Sequence, residues 1–128
     1  MLRPALAALM MSALFSVPVI ASAQDAAVKP DMSCKTGPVT HEYGGTSWLV
    51  YSCSDGQSLV FITAPGNPAM PFYFVSYPKD GQFQLSGEGT GSKTVTDAAY
   101  AQLSQMTSAE RESILAETKA VPAAPPSN

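Results

Sequence analysis

From Val39 to Ser86 apolar and polar residues alternate at every second position or gather into short apolar runs, each closed by glycine or proline; beyond Thr94 the spacing lengthens to three and four. Val39, His41 and Tyr43 alternate with Thr40 and Glu42 up to Gly44-Gly45, the period of a strand. Residues 47–53 (SWLVYSC) and 57–63 (QSLVFIT) flank Ser54-Asp55-Gly56 and predict a hairpin with glycine where positive φ is needed. A second hairpin is predicted from residues 72–77 (FYFVSY) and 82–86 (QFQLS) around Pro78-Lys79-Asp80-Gly81. Phe72 to Val75 is apolar on both faces, whereas Phe83 and Leu85 alternate with Gln82, Gln84 and Ser86, a strand wet on one side. Between the hairpins, residues 64–71 carry Pro65, Pro68 and Pro71, which bar a central strand and predict a stiff, exposed loop.

The helical part follows the glycine-rich residues 87–93. Thr94 or Thr96 is placed to cap a segment in which Ala99, Tyr100, Leu103 and Met106 recur at helical spacing. Thr107 with Glu110 matches a capping box ahead of a second helix over 109–119, with Ile114 and Leu115 as its apolar edge. The expected fold is α+β: a four- to five-stranded antiparallel meander, two short C-terminal helices laid on it, and one disulfide.

Outside this domain, placed at 38–120, the texture differs. Arg3, the apolar residues 5–20 and Ala21-Ser22-Ala23 match the three regions of a secretory signal peptide, which places cleavage after residue 23. Pro18 interrupts the apolar run and no stop-transfer pattern follows, so no stable membrane anchor is expected after cleavage. Residues 24–37 are polar and aperiodic, an N-terminal arm. Residues 121–128 are too proline-rich to pack and are expected to be a disordered tail. The expected location is periplasmic or secreted.

Export changes the meaning of the two cysteines, Cys34 and Cys53. In an oxidising compartment the expectation is one disulfide, contributing roughly 3 kcal/mol by closing a loop of that size. A metal site is not expected, because His41 is the only histidine and completes no ligand spacing with them. The cleaved chain keeps six basic against ten acidic residues, so neither nucleic acid nor anionic lipid is an expected partner.

Little of the sequence points to catalysis. Residues 87–94 (GEGTGSKT) follow a strand and precede a helix, where phosphate loops sit, but Ser92 stands where a P-loop has glycine. The dinucleotide pattern fails as well, since only Thr90 separates Gly89 from Gly91. No serine lies in a nucleophile elbow, and His41 falls on a strand facing a packed aromatic surface. Asp55 and Asp80 have turn roles that account for them without acid–base work. No cofactor is expected. The dense aromatic set from Trp48 to Phe83 is mostly core, and a binding surface arises if Tyr73 and Tyr77 share an outward face.

Residues 51–94 resemble the first part of the bacterial C-type lysozyme inhibitor family, exported small β-barrels. Tyr51-Ser52-Cys53 matches the family's opening strand and Gly89-Thr90-Gly91-Ser92-Lys93 its enzyme-contacting loop. The chain departs from the family in carrying Thr94 where a tyrosine follows the loop, helical sequence in place of a tryptophan-bearing strand, and no C-terminal cysteine. The resemblance implies that Thr90, Ser92 and Lys93 lie on a protein-inhibiting surface, and that Cys53 pairs with Cys34 instead of a later cysteine. The expected function is that of an exported, non-catalytic binding domain, an inhibitor-like protein-binding module acting through the 64–71 and 87–93 loops. The alternatives are a small-ligand carrier with an aromatic pocket at Tyr73 and Tyr77, and a small exported enzyme.

Overall fold

Five strands form in chain order: β1 (Thr36–Tyr43), β2 (Thr46–Ser52), β3 (Leu59–Thr63), β4 (Phe72–Lys79) and β5 (Gln82–Gly89). Two helices follow, α1 (Lys93–Leu103) and α2 (Ser108–Ala120), in a computed structural model that describes residues 31–122. The strands make one antiparallel sheet in the order β1-β2-β3-β4-β5, the predicted meander with five strands. The expected signal peptide at 1–23, residues 24–30 of the arm and residues 123–128 of the tail lie outside the described residues. Among the described residues no helix is long and apolar enough to cross a membrane.

Alternation decides which face is buried. Trp48 and Val50 of β2, Leu59 and Phe61 of β3 and Phe74 of β4 point to one side, where Ala99 and Leu103 of α1 and Ile114 and Leu115 of α2 close over them. Each such large side chain contributes about 1.5–3 kcal/mol on leaving water. Trp48 needs a partner for its N–H when wholly buried, and donates it to the Tyr43 carbonyl at 2.9 Å.

Two polar joints pin α2 to the sheet. Thr118 Oγ1 lies 2.8 Å from both the Ser52 hydroxyl and the Leu115 carbonyl. One hydroxyl carries one proton, so Thr118 donates to one of the two; when that is the carbonyl, Ser52 donates to Thr118. Arg111 is buried and donates to Ser76 Oγ at 2.6 Å and to the Gln57 carbonyl at 3.4 Å, with the Phe83 ring 3.5 Å from its guanidinium carbon. Burial without an anion lowers the Arg111 pKa from its ordinary value.

The Cys34–Cys53 disulfide forms, and the Ser54 N–H donates to the Ser33 carbonyl beside it, fastening the segment before β1 to the end of β2. β1 begins at Thr36, two residues inside the stretch read as an arm. α1 begins at Lys93, with Ser92 rather than Thr94 or Thr96 at the N-cap position. Thr96 is buried and its hydroxyl donates to the Lys93 carbonyl. The capping box of α2 is as predicted: Thr107 Oγ1 accepts from the Glu110 N–H at 3.1 Å, and Glu110 accepts from the Thr107 N–H at 2.7 Å.

Candidate functional site

Both helices lie on the Trp48 side, so the opposite face of the sheet has no helix over it among the described residues. That face carries Leu49 and Tyr51 from β2, Val60 and Ile62 from β3, and Tyr73, Val75 and Tyr77 from β4, all half-buried or exposed. Ile62 and Tyr73 face each other across the β3–β4 ladder and are 39% and 41% exposed, high for large side chains at the middle of a five-stranded sheet. Tyr73 and Tyr77 share this outward face, the condition on which the sequence made a binding surface depend.

At one end the face deepens into an open groove of about 570 Å³, lined by Val60, Ile62, Tyr73 and Glu88 and walled by Met70, Pro71, Gly89 and Thr90. Its walls are the two loops singled out in the sequence, and hydrogen bonds join them. The Thr90 N–H donates to the Pro71 carbonyl and the Ser92 N–H to the Pro68 carbonyl, both at 3.1 Å. Glycine makes this approach possible. A Cβ on Gly91 would lie 1.7 Å from the Ala69 carbonyl oxygen, and one on Gly89, at φ +148°, would lie 2.2 Å from that of Pro71. The glycine-rich run is thus a close-packed seam, not a free loop.

The other wall is held by Asn67. Its Nδ2 donates to the Ser47 carbonyl at 2.8 Å, and its Oδ1 accepts from the Ala69 N–H at 2.8 Å, so one buried side chain ties the proline loop to β2. The Met70 N–H closes the turn onto the Asn67 carbonyl. The sequence marks Gly66-Asn67-Pro68 as a turn, but nothing in it signals a bridge to a strand twenty residues earlier. Inside the groove Tyr73 donates its hydroxyl to Glu88 Oε2 at 3.0 Å; this hydrogen bond, and then the carboxylate's charge, raise the Tyr73 pKa.

The three candidate binding residues do not share one surface. Thr90 is exposed and lines the groove. Ser92 is half-buried in the seam. Lys93 is exposed on the helix side, 3.5 Å from Asp97 one turn on, beside a cleft that also touches Phe74, Gly87 and Tyr100.

A second cleft, of about 380 Å³, lies between β1 and the helices and gathers His41, Tyr43, Gln102, Glu110, Ser113 and Glu117. His41 Nε2 donates to Glu117 Oε2 at 2.7 Å, tying β1 to α2. His41 also stacks on Tyr43, in keeping with the aromatic surface expected for it. Burial, and then the charges of Glu117 and Glu110, push the Tyr43 hydroxyl up to about 12. Among the described residues no three His, Cys, Asp or Glu side chains converge as metal ligands. No family model, curated protein or solved structure matches the chain.

Proposed function

We propose that the chain is an exported, non-catalytic binding domain whose contact surface is the groove on the uncovered sheet face, and that its partner is a protein offering an apolar side chain. The observation that carries this reading is the Ile62–Tyr73 pair, exposed on a sheet whose other face carries the core and both helices. A groove walled by two hydrogen-bonded loops enters binding already shaped, so little ordering entropy opposes association. Tyr73 supplies an aromatic contact with a hydroxyl already held by Glu88, the kind of anchor that concentrates binding energy. Thr90 lies at this surface and Lys93 does not.

The resemblance of residues 51–94 to lysozyme inhibitors makes a C-type lysozyme the first partner to assay. Inhibition by the wild type, lost in Ile62→Asp and in Tyr73→Ala with unchanged melting temperatures, is the expected result. Inhibition that survives both substitutions removes the groove from the reading, and no inhibition at all removes lysozyme as the partner. The second reading, a small-ligand carrier, draws on the predominantly apolar lining of the same groove. It predicts a thermal upshift with an apolar or sugar ligand that Tyr73→Ala abolishes. Any hydrolytic activity that His41→Ala removes would favour an enzyme and overturn both.

A further inference from the structure

The sheet has two edges, and they differ. β1 is interrupted by a register shift between Thr36 and Val39 and carries Pro38, both devices that blunt an edge. β5 has neither: its eight residues pair with β4 without a shift and include no proline, lysine or arginine. The turn fixes which of its backbone groups are free. Asp80 and Gly81 have φ of 52° and 76°, a two-residue type I′ loop, so Lys79 and Gln82 beside it exchange both hydrogen bonds and the pattern alternates from there. Pro78, which has no N–H, stands opposite Phe83, where none is required. The N–H and C=O groups of Phe83, Leu85 and Gly87 therefore point away from β4.

We propose that β5 pairs antiparallel with β5 of a second copy of this chain, about a two-fold axis through Leu85. An axis normal to the sheet keeps the helix side facing the helix side, and the sequence is self-complementary in this register. On the helix side Leu85 meets the partner's Leu85, and Phe83 meets the partner's Gly87. On the open side Gln84 meets the partner's Ser86, and Gln82 meets the partner's Glu88, so no like charges oppose. A step toward the turn sets Asp80 against the partner's Glu88; a step the other way pairs Phe83 with Gly89, whose φ of +148° departs from an extended strand.

Gly87 offers an incoming ring no side chain of its own, because the Phe72 and Phe74 rings already lie over it, 2.7–2.9 Å from where a Cβ would sit. It borders a cleft of about 400 Å³ between α1 and β5, floored by Phe72, Phe74 and Leu85. Phe83 is 43% exposed, and in the paired register it reaches the mouth of the partner's cleft while keeping Arg111 beneath it. Strand addition also gives bonding partners to a row of backbone groups for which the described residues supply none. This surface meets the groove only at Glu88, and Gln84 and Ser86 lie outside it, so the proposal goes beyond the binding reading and is tested separately.

A single strand pair buries less than a standard interface, so the dimer should be read by sedimentation of the oxidised protein from about 10 µM to 1 mM. The expected result is a mass that doubles over that range. Two variants test the β5 pairing, Gln84→Lys with Ser86→Lys, and Gln84→Glu with Ser86→Glu, all on exposed positions. Each should stay a monomer with an unchanged melting temperature, and an equimolar mixture should regain the doubled mass. A wild type that keeps one chain's mass throughout overturns the proposal. So does self-association of either variant alone, or a mixture that stays monomeric.

Discussion

Gly91→Ala separates a glycine required by close approach from one required by backbone conformation. Gly91 does not have a positive φ, so alanine suits its backbone, and the whole effect comes from the added methyl group. That methyl would sit 1.7 Å from the Ala69 oxygen, while ordinary contact begins at 3.4 Å, so the two loops must part by about half that larger distance. Such a separation breaks the Thr90–Pro71 and Ser92–Pro68 hydrogen bonds, each worth about 1 kcal/mol net. It also opens the packing around Ala69, which is fully buried, for about another 1–2 kcal/mol.

The expected loss is about 3–4 kcal/mol, a drop in melting temperature of roughly 15 °C or more for a domain of this size. Gly45→Ala is the matched control. At φ +77° with nothing within 4 Å, it carries only the left-handed backbone cost of about 1–2 kcal/mol. Urea unfolding of the oxidised proteins, followed by circular dichroism, gives both midpoints. If Gly91→Ala costs no more than Gly45→Ala, the seam between the loops is not what fixes the groove walls, and the argument for a preformed groove fails.

The guanidinium of Arg111 is buried with no carboxylate in salt-bridge range among the described residues. Arg111→Met, which keeps the bulk under Phe83, should therefore unfold within about 1 kcal/mol of wild type or later, while Arg111→Ala should cost about 2 kcal/mol; both are read from denaturant midpoints. Tyr43 keeps its proton to about 12 when folded but to about 10 when unfolded, so its contribution is present below pH 10 and lost as pH rises to 12. Wild type should lose about 1 kcal/mol more than Tyr43→Phe over that interval, a figure already reduced for the exposed part of the ring, and equal losses would refute the assignment. Reducing the Cys34–Cys53 bond should lower stability by roughly 3 kcal/mol, measured as a shift in urea midpoint with and without reductant.

The strands were legible because each is bounded by a residue with one strong local preference. Gly44-Gly45, Asp55-Gly56 and Asp80-Gly81 close the three turns between β1 and β2, β2 and β3, and β4 and β5, and alternation assigns each side chain to a face. The α2 capping box was legible for the same reason. The start of α1 was not, since Ser92 holds the N-cap position through its place in the seam and makes no side-chain capping bond. The groove was legible only in parts. Both loops and Tyr73 stand out in the sequence, but their meeting depends on Asn67 reaching Ser47 and on Gly91 touching Ala69, contacts between segments that no local pattern encodes. Thr90 and Lys93 are three residues apart and fall on different sides, because the chain turns from the last strand into α1 between them.

The uncovered face is more apolar than alternation alone would make it. An antiparallel sheet with one face in water ordinarily sets polar residues outward, and the two edge strands obey: Thr40 and Glu42 on β1, and Gln82, Gln84, Ser86 and Glu88 on β5. The three central strands do not, since they turn out Leu49, Tyr51, Val60, Ile62, Tyr73, Val75 and Tyr77. The outward residues thus form an apolar centre inside a polar rim, the anatomy of a surface that meets a partner. The fold does not demand this arrangement, because the core under the helices is complete without it and polar residues at Ile62 or Val60 would leave every buried contact in place. An apolar centre that stability does not require, aligned with a groove whose walls take an asparagine bridge and two closely packed glycines to hold, supports the proposal that this face is the contact surface.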